Sequence, residues 1–152
     1  DYIIRFGGYG SARGAYNIEL IPCAPVNDDC VNAIDVVKNI TYTGTTVAAT
    51  DSGIAACNFS DPYDVWYAYT PPADEMLSVS LCGSSFDTTL ALFDACGGNL
   101  IACNDDFLNC GNHNSVLKCI SVTGGQRYLR TGRSVDLGDL VAVFVTDDQD
   151  DA

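Results

Sequence analysis

Apolar and polar residues alternate along this chain in short runs and do not recur at helical spacing. In LSVSL, residues 77–81, Leu77, Val79 and Leu81 fall on one face with Ser78 and Ser80 on the other, the period of a half-buried strand. β-Branched and aromatic residues gather in similar runs separated by Gly, Asn, Asp and Ser. The pattern predicts strands over Tyr2–Phe6, Ala15–Ile21, Ile40–Thr43, Val65–Thr70, Leu77–Leu81, Thr89–Phe93, Val116–Val122, Tyr128–Thr131 and Leu140–Val145. One stretch departs from it. After Asn27-Asp28-Asp29, where an Asx side chain can cap, VNAIDVV (31–37) predicts a turn or two of helix. Many short strands with almost no helix predict an all-β fold, an antiparallel β-sandwich of the jelly-roll kind.

The run VWYAYT (65–70) is the most aromatic of these strands. Val65, Tyr67 and Tyr69 share one face and Trp66 and Ala68 the other, so at least one set belongs to the core. Core packing is the expectation for all three aromatics. Were Tyr67 and Tyr69 exposed, they would instead form a platform for a sugar or peptide.

Residues 2–20, YIIRFGGYGSARGAYNIEL, can be laid on residues 128–144, YLRTGRSVDLGDLVAVF. Each begins Tyr-aliphatic and continues with an Arg, a Gly, a polar turn, a second Gly and a closing strand; the second copy is one residue shorter before its Arg. The chain therefore reads as a surplus N-terminal β-hairpin (1–22), a sandwich (23–147) and an acidic tail (148–152). It opens without Met, a basic stretch or an apolar signal core, the expectation being a chain cut or chosen to begin there. Tyr2, Ile4, Tyr16, Ile18 and Leu20 are the apolar positions on which the first hairpin would assemble. Either it closes a preceding repeat, or it is donated to a neighbouring subunit. A sheet edge with unpaired backbone groups accepts such a strand, and a head-to-tail contact that does not close on itself generates a filament.

Composition sharpens this picture. A chain of 152 residues makes one domain, or one with an appendage. Eight cysteines beside a single histidine, with no CxxC spacing, fit disulfides better than zinc and point to an oxidising, extracellular setting. Cys96 and Cys103 flank GGNLIA, which reads as a hairpin loop, so they are expected to pair. Cys30 with Cys57 and Cys82 with Cys110 follow, leaving Cys23 with Cys119, although spacing alone does not fix the connectivity. A formal net charge of −13 argues against nucleic acid or an anionic membrane as partner. No apolar run approaches the roughly 20 residues of a spanning helix.

The segments NDDCVNAI (27–34), DVWYAYTPP (64–72), LSVSLCGSSFDTTLALFDACGGNLIACNDD (77–106) and SVLKCISVTGGQRYLR (115–130), in that order, resemble the secreted bacterial pre-peptidase C-terminal family and its tandem extracellular relatives. The resemblance covers about residues 26–145. It implies a β-sandwich appended to secreted enzymes or repeated in surface proteins, and does not itself imply catalysis.

Candidate chemistry is sparse. Asp28 and Asp29 in one loop and Asn104, Asp105 and Asp106 in another supply the oxygen ligands Ca²⁺ prefers, if the two loops converge at one end of the sandwich. The alternative is that they are turn residues bonding their own backbone. His113 lies in a polar loop with no evident nucleophile, which reads as a surface histidine. Asp87 and Asp94 are too ordinary a pair to define a glycosidase and are expected to shape turns. Asn39-Ile40-Thr41 and Asn58-Phe59-Ser60 are sequons for glycans at Asn39 and Asn58, and the Thr-rich stretch 41–50 offers hydroxyls for sugars.

The reading that follows is a non-enzymatic extracellular structural module, joined head to tail with copies of itself or adjacent repeats through the hairpin. The alternative is a binding or targeting appendage of a secreted hydrolase, directed at protein or polysaccharide.

Overall fold

The computed structural model describes residues 3–5, 7, 9–54, 57, 62–111, 113–134 and 139–146, with 129–134 and 139–146 described as backbone. One 3-10 turn, Cys30–Asn32, precedes nine strands: β1 (Ile34–Val36), β2 (Ile40–Thr45), β3 (Tyr63–Tyr69), β4 (Glu75–Ser80), β5 (Thr89–Phe93), β6 (Leu100–Asn104), β7 (Val116–Val122), β8 (Tyr128–Ser134) and β9 (Asp139–Thr146). They form a five-stranded sheet in the order β1-β3-β8-β5-β6 and a four-stranded sheet in the order β2-β9-β4-β7. This is the expected sandwich. Every described pairing is antiparallel except β1 with β3, which runs parallel from Ile34↔Tyr67 to Val36↔Tyr69.

The helix expected over VNAIDVV is therefore a single 3-10 turn followed by a strand. Ile34 and Val36 are β-branched at period two, and pairing with β3 outweighs the weak local cap. Indeed Asp29, the residue before the turn, makes no side-chain capping bond.

Two packing layers hold the five-stranded sheet. Between the sheets, Val65, Tyr67 and Tyr69 of β3 and Leu90 and Leu92 of β5 meet Leu77 and Val79 of β4 together with Leu81 and Leu117. On the outer face, Trp66, Ala68, Ala91 and Phe93 pack with Ala33, Cys30, Ile54 and Cys103. The Trp66 and Phe93 rings lie 5.7 Å apart and tilted. Both alternating sets of VWYAY are thus core, and Tyr67 and Tyr69 form no exposed platform. A strand buried on both faces reads as a continuous apolar run, as β3 and β5 do.

Disulfides pin the outer layer. Cys30 joins Cys96 and Cys57 joins Cys103, with Cα–Cα distances of 5.5 and 5.7 Å, while Cys82 joins Cys110 at 5.3 Å. The expected pairs Cys96–Cys103 and Cys30–Cys57 are replaced because Cys103 lies within β6, opposite Ala91, whereas Cys96 sits in the turn at the hairpin tip. Each strand residue advances about 3.3 Å, so the two sulfurs lie well apart along the hairpin. The expected Cys23–Cys119 bridge is also absent. Cys23 precedes Asn27 at the β1 edge of one sheet, and Cys119 lies on β7 at the far edge of the other.

Ser78 was expected on a polar face, yet it is buried. Its hydroxyl accepts the N–H of Cys119 at 3.1 Å where the β4–β7 register shifts between Leu77 and Val79. Gly44 of β2 lies directly over the Tyr67 hydroxyl, where a Cβ would collide with that oxygen.

Candidate functional site

β8 lies between β3 and β5, and β9 lies between β2 and β4. β8 and β9 are therefore not a hairpin within one sheet. They supply an interior strand to each sheet. The similar segment at the start of the chain is placed quite differently. Among the described residues from 3 to 25 there is no strand, only a turn in which Ala12 donates to the Tyr9 carbonyl at 3.2 Å. Among the described residues the strands expected over Tyr2–Phe6 and Ala15–Ile21 are not formed; Tyr2 and Phe6 lie outside the described residues. Tyr16 is 70% exposed, Ile18 49% and Leu20 78%, with Ile3, Ile4 and Ile21 also exposed. The physical reason is topological: the strands this segment resembles already fill the interior of both sheets.

The acidic loops do not converge. The Asn27 carbonyl accepts the Trp66 N–H at 2.8 Å and the Asn27 amide donates to the Trp66 carbonyl at 2.9 Å, placing this loop on the β1 side of β3. Asn104 ends β6 at the opposite edge. Cys30, which closes the first loop, is bridged to Cys96 in the β5–β6 turn, and Asn104 lies at the other end of β6 from that turn. The carboxylates have protein partners. Asp28 accepts the Thr50 N–H and hydroxyl at 2.6 and 2.8 Å, and Asp105 accepts the Thr89 hydroxyl at 2.9 Å. Asp106 lies 3.2 Å from Nδ1 of His113. The Asn104 amide donates to the Asp106 carbonyl at 3.1 Å, and its oxygen accepts the Val116 N–H at 3.0 Å. Asp29 is exposed before the 3-10 turn. Among the described residues no group of three or more His, Cys, Asp or Glu gathers as a metal site.

The other candidates are turn and surface residues. Asp94 closes the β5–β6 turn, its carboxylate accepting the Asn99 backbone N–H at 2.6 Å and side-chain amide at 2.9 Å. Those bonds, the side-chain one foremost, hold its carboxyl below the ordinary range. His113 is exposed with φ of 56°. Asn39 is exposed in the β1–β2 turn at φ 62°, while Asn58 lies outside the described residues.

Two polar clusters were missed by reading the sequence. Buried Asp64 accepts the Trp66 indole N–H at 3.1 Å and the Ser52 hydroxyl at 2.7 Å. Glu75 accepts the Tyr69 hydroxyl, and its other oxygen lies 2.9 Å from Lys38 Nζ. Burial pushes the Glu75 carboxyl upward, but the Tyr69 hydroxyl and the Lys38 ammonium outweigh it and hold it below the ordinary value. The Tyr69 phenol is raised, by burial first and then by Glu75. A carboxylate inside the apolar run DVWYAY was the one sequence signal for the first cluster. Both clusters tie loops to strands.

Fold and site together define an extracellular-type β-sandwich module, braced by disulfides and carrying an exposed apolar arm. The chain belongs to the galactose binding domain-like family, in its T9SS-associated group, whose model matches residues 26–135. No curated protein matches it by sequence. Among solved structures it is similar to the pre-peptidase C-terminal domain of a collagenase from Bacillus anthracis, at 16% identity and a TM-score of 0.48, over 74% of this chain and 93% of that one. Among the described residues no helix is long and apolar enough to cross a membrane.

Proposed function

We propose that this chain is a non-catalytic extracellular module that strings head to tail with its neighbours, its N-terminal arm entering a sheet of the next sandwich. The observation that carries this reading is the contrast between two similar segments. β8 and β9 occupy the interior of the two sheets, whereas the described residues between 3 and 21, from the segment of the same pattern, form no strand, and Ile3, Ile4, Tyr16, Ile18, Leu20 and Ile21 are exposed. Exposed apolar residues gathered on one short segment of a chain this acidic mark an interaction site. An added strand gains main-chain hydrogen bonds and buries its alternate side chains.

The arm also suits its partner electrostatically. Residues 1–21 carry Asp1 and Glu19 against Arg5 and Arg13 and are neutral, so the net charge of −13 resides in the rest of the chain. A neutral arm approaches such a surface without the repulsion that two whole domains experience.

Sedimentation of the full chain tests the reading. The unchanged chain is expected to assemble as concentration rises, and Ile18→Pro, which removes a ladder donor, to stay monomeric. Undiminished assembly of Ile18→Pro contradicts strand addition through residues 15–21.

Family membership favours a second reading, a binding appendage of a secreted enzyme. Retention of the isolated chain on a protein or polysaccharide matrix, without self-association, is the result that supports it over the first.

A further inference from the structure

We infer that the acceptor for the arm is β2, the outermost described strand of its sheet, and that residues 15–21 of a second copy pair along it, extending the four-stranded sheet to five strands. The inference rests on the head-to-tail reading above and specifies its contact. It follows from comparing the sandwich's four sheet edges.

Three edges are protected. β1 is only three residues long, and its Asp35 holds Arg127 at 2.9 Å. β6 loses register against β5 between Leu92 and Phe93, and its Cys103 is bridged to Cys57. β7 is bulged opposite Leu77 and Val79, takes φ of 54° at Cys119, and carries Lys118. Short strands, bulges and edge lysines are the usual means of refusing a further strand.

β2 has none of these. Its six residues, ITYTGT, pair with β9 without a break from Ile40↔Phe144 to Thr45↔Asp139, and they include no charge and no proline. The face of β2 that carries Tyr42 is directed inward, since Tyr42 packs against the core. Ile40 shares that face at period two yet remains 47% exposed. A flanking strand would cover it.

The arm has the matching alternation. Over AYNIELI (15–21), Tyr16, Ile18 and Leu20 fall on one face and Asn17 and Glu19 on the other, and Pro22 ends the run. Laid against β2, the apolar set continues the inner face beside Ile40 and Tyr42. The polar set continues the outer face beside Thr41 and Thr43. The interior positions that residues 15–21 resemble are closed, because β9 already occupies one of them.

Complementation by sedimentation tests this on the full chain. Ile18→Lys spoils the arm and leaves the edge, whereas Ile40→Lys spoils the edge and leaves the arm. Each alone is expected to remain monomeric where the unchanged chain assembles, and an equal mixture to give a one-to-one dimer and nothing larger. Leu100→Lys, on β6, is expected to assemble like the unchanged chain. Both lysine sites are exposed, and circular dichroism checks that the variants fold; Thr43→Lys is the second edge variant should Ile40→Lys unfold. A mixture that stays monomeric overturns the inference, as does docking of an arm onto its own β2. If Ile40→Lys and Thr43→Lys assemble freely while Ile18→Lys does not, the acceptor lies elsewhere and head-to-tail assembly stands. If the unchanged chain never assembles, both fail.

Discussion

The indole N–H of Trp66 donates to Asp64 Oδ1 at 3.1 Å, between two side chains both wholly withdrawn from solvent. Ser52, from the loop before β3, donates its hydroxyl to the other oxygen at 2.7 Å. One buried carboxylate therefore fastens the covering loop to the outer face of the five-stranded sheet. Asp64→Ala strands the Trp66 and Ser52 donors and is expected to cost on the order of 3 kcal/mol, read as a lowered urea midpoint. An unchanged midpoint would mean that the loop is held by other contacts.

The disulfide map is directly checkable. Proteolytic fragments separated without reduction should carry Cys30 with Cys96 and Cys57 with Cys103, and no fragment should join Cys96 to Cys103. Removing the second bridge by Cys57→Ser with Cys103→Ser reopens a 46-residue loop, and in the chain-entropy account lowers stability by about 4 kcal/mol. A loss below about 1 kcal/mol in chemical denaturation would show that the bridge contributes little to folding.

Glu75 contributes to the acid limb of stability. Its folded carboxyl lies below the ordinary value of 4.5, so its contribution is complete above that value and is lost as pH falls below it. The difference in urea midpoint between the unchanged chain and Glu75→Gln should be widest near neutrality and shrink steadily from pH 4.5 downward. Tyr69 acts at the other limb. With its phenol raised above 10.0, its contribution is complete below pH 10 and fades above it. Tyr69→Phe should remove that alkaline loss, and a loss that persists would trace it to another group.

The arm predicts an order of cleavage. Exposed segments without ladder bonds are cut first. In the dissociated chain, trypsin should cut after Arg13 before Lys118 or Arg127, leaving the sandwich intact by mass spectrometry. Assembly should slow that first cut selectively, whereas equal rates in both states would leave the arm uninvolved.

Strand positions with clean alternation or continuous apolar runs were legible in the sequence, as β3, β4, β5 and β7 illustrate. β1 was not, because IDV is too short to signal a strand without its parallel partner β3. β6 was hidden in the loop assigned to GGNLIA, and that error carried the wrong disulfide pairs with it. The acidic loops show a different limit. Residue type suggested one calcium site, but the Cys30–Cys96 bridge and the β5–β6 pairing set the loops at opposite ends of β6, and both are long-range properties. The duplicated terminal segment was visible from its residues alone; that its counterpart divides between two sheets was not.

The most direct test of the central claim is electron microscopy of the assembled material at a resolution that traces the backbone through residues 1–27. Residues 15–21 are expected to leave their own sandwich and run as a strand in the sheet of the next one. Continuous density folding that segment back onto its own domain, with neighbouring domains joined through other surfaces, would contradict it.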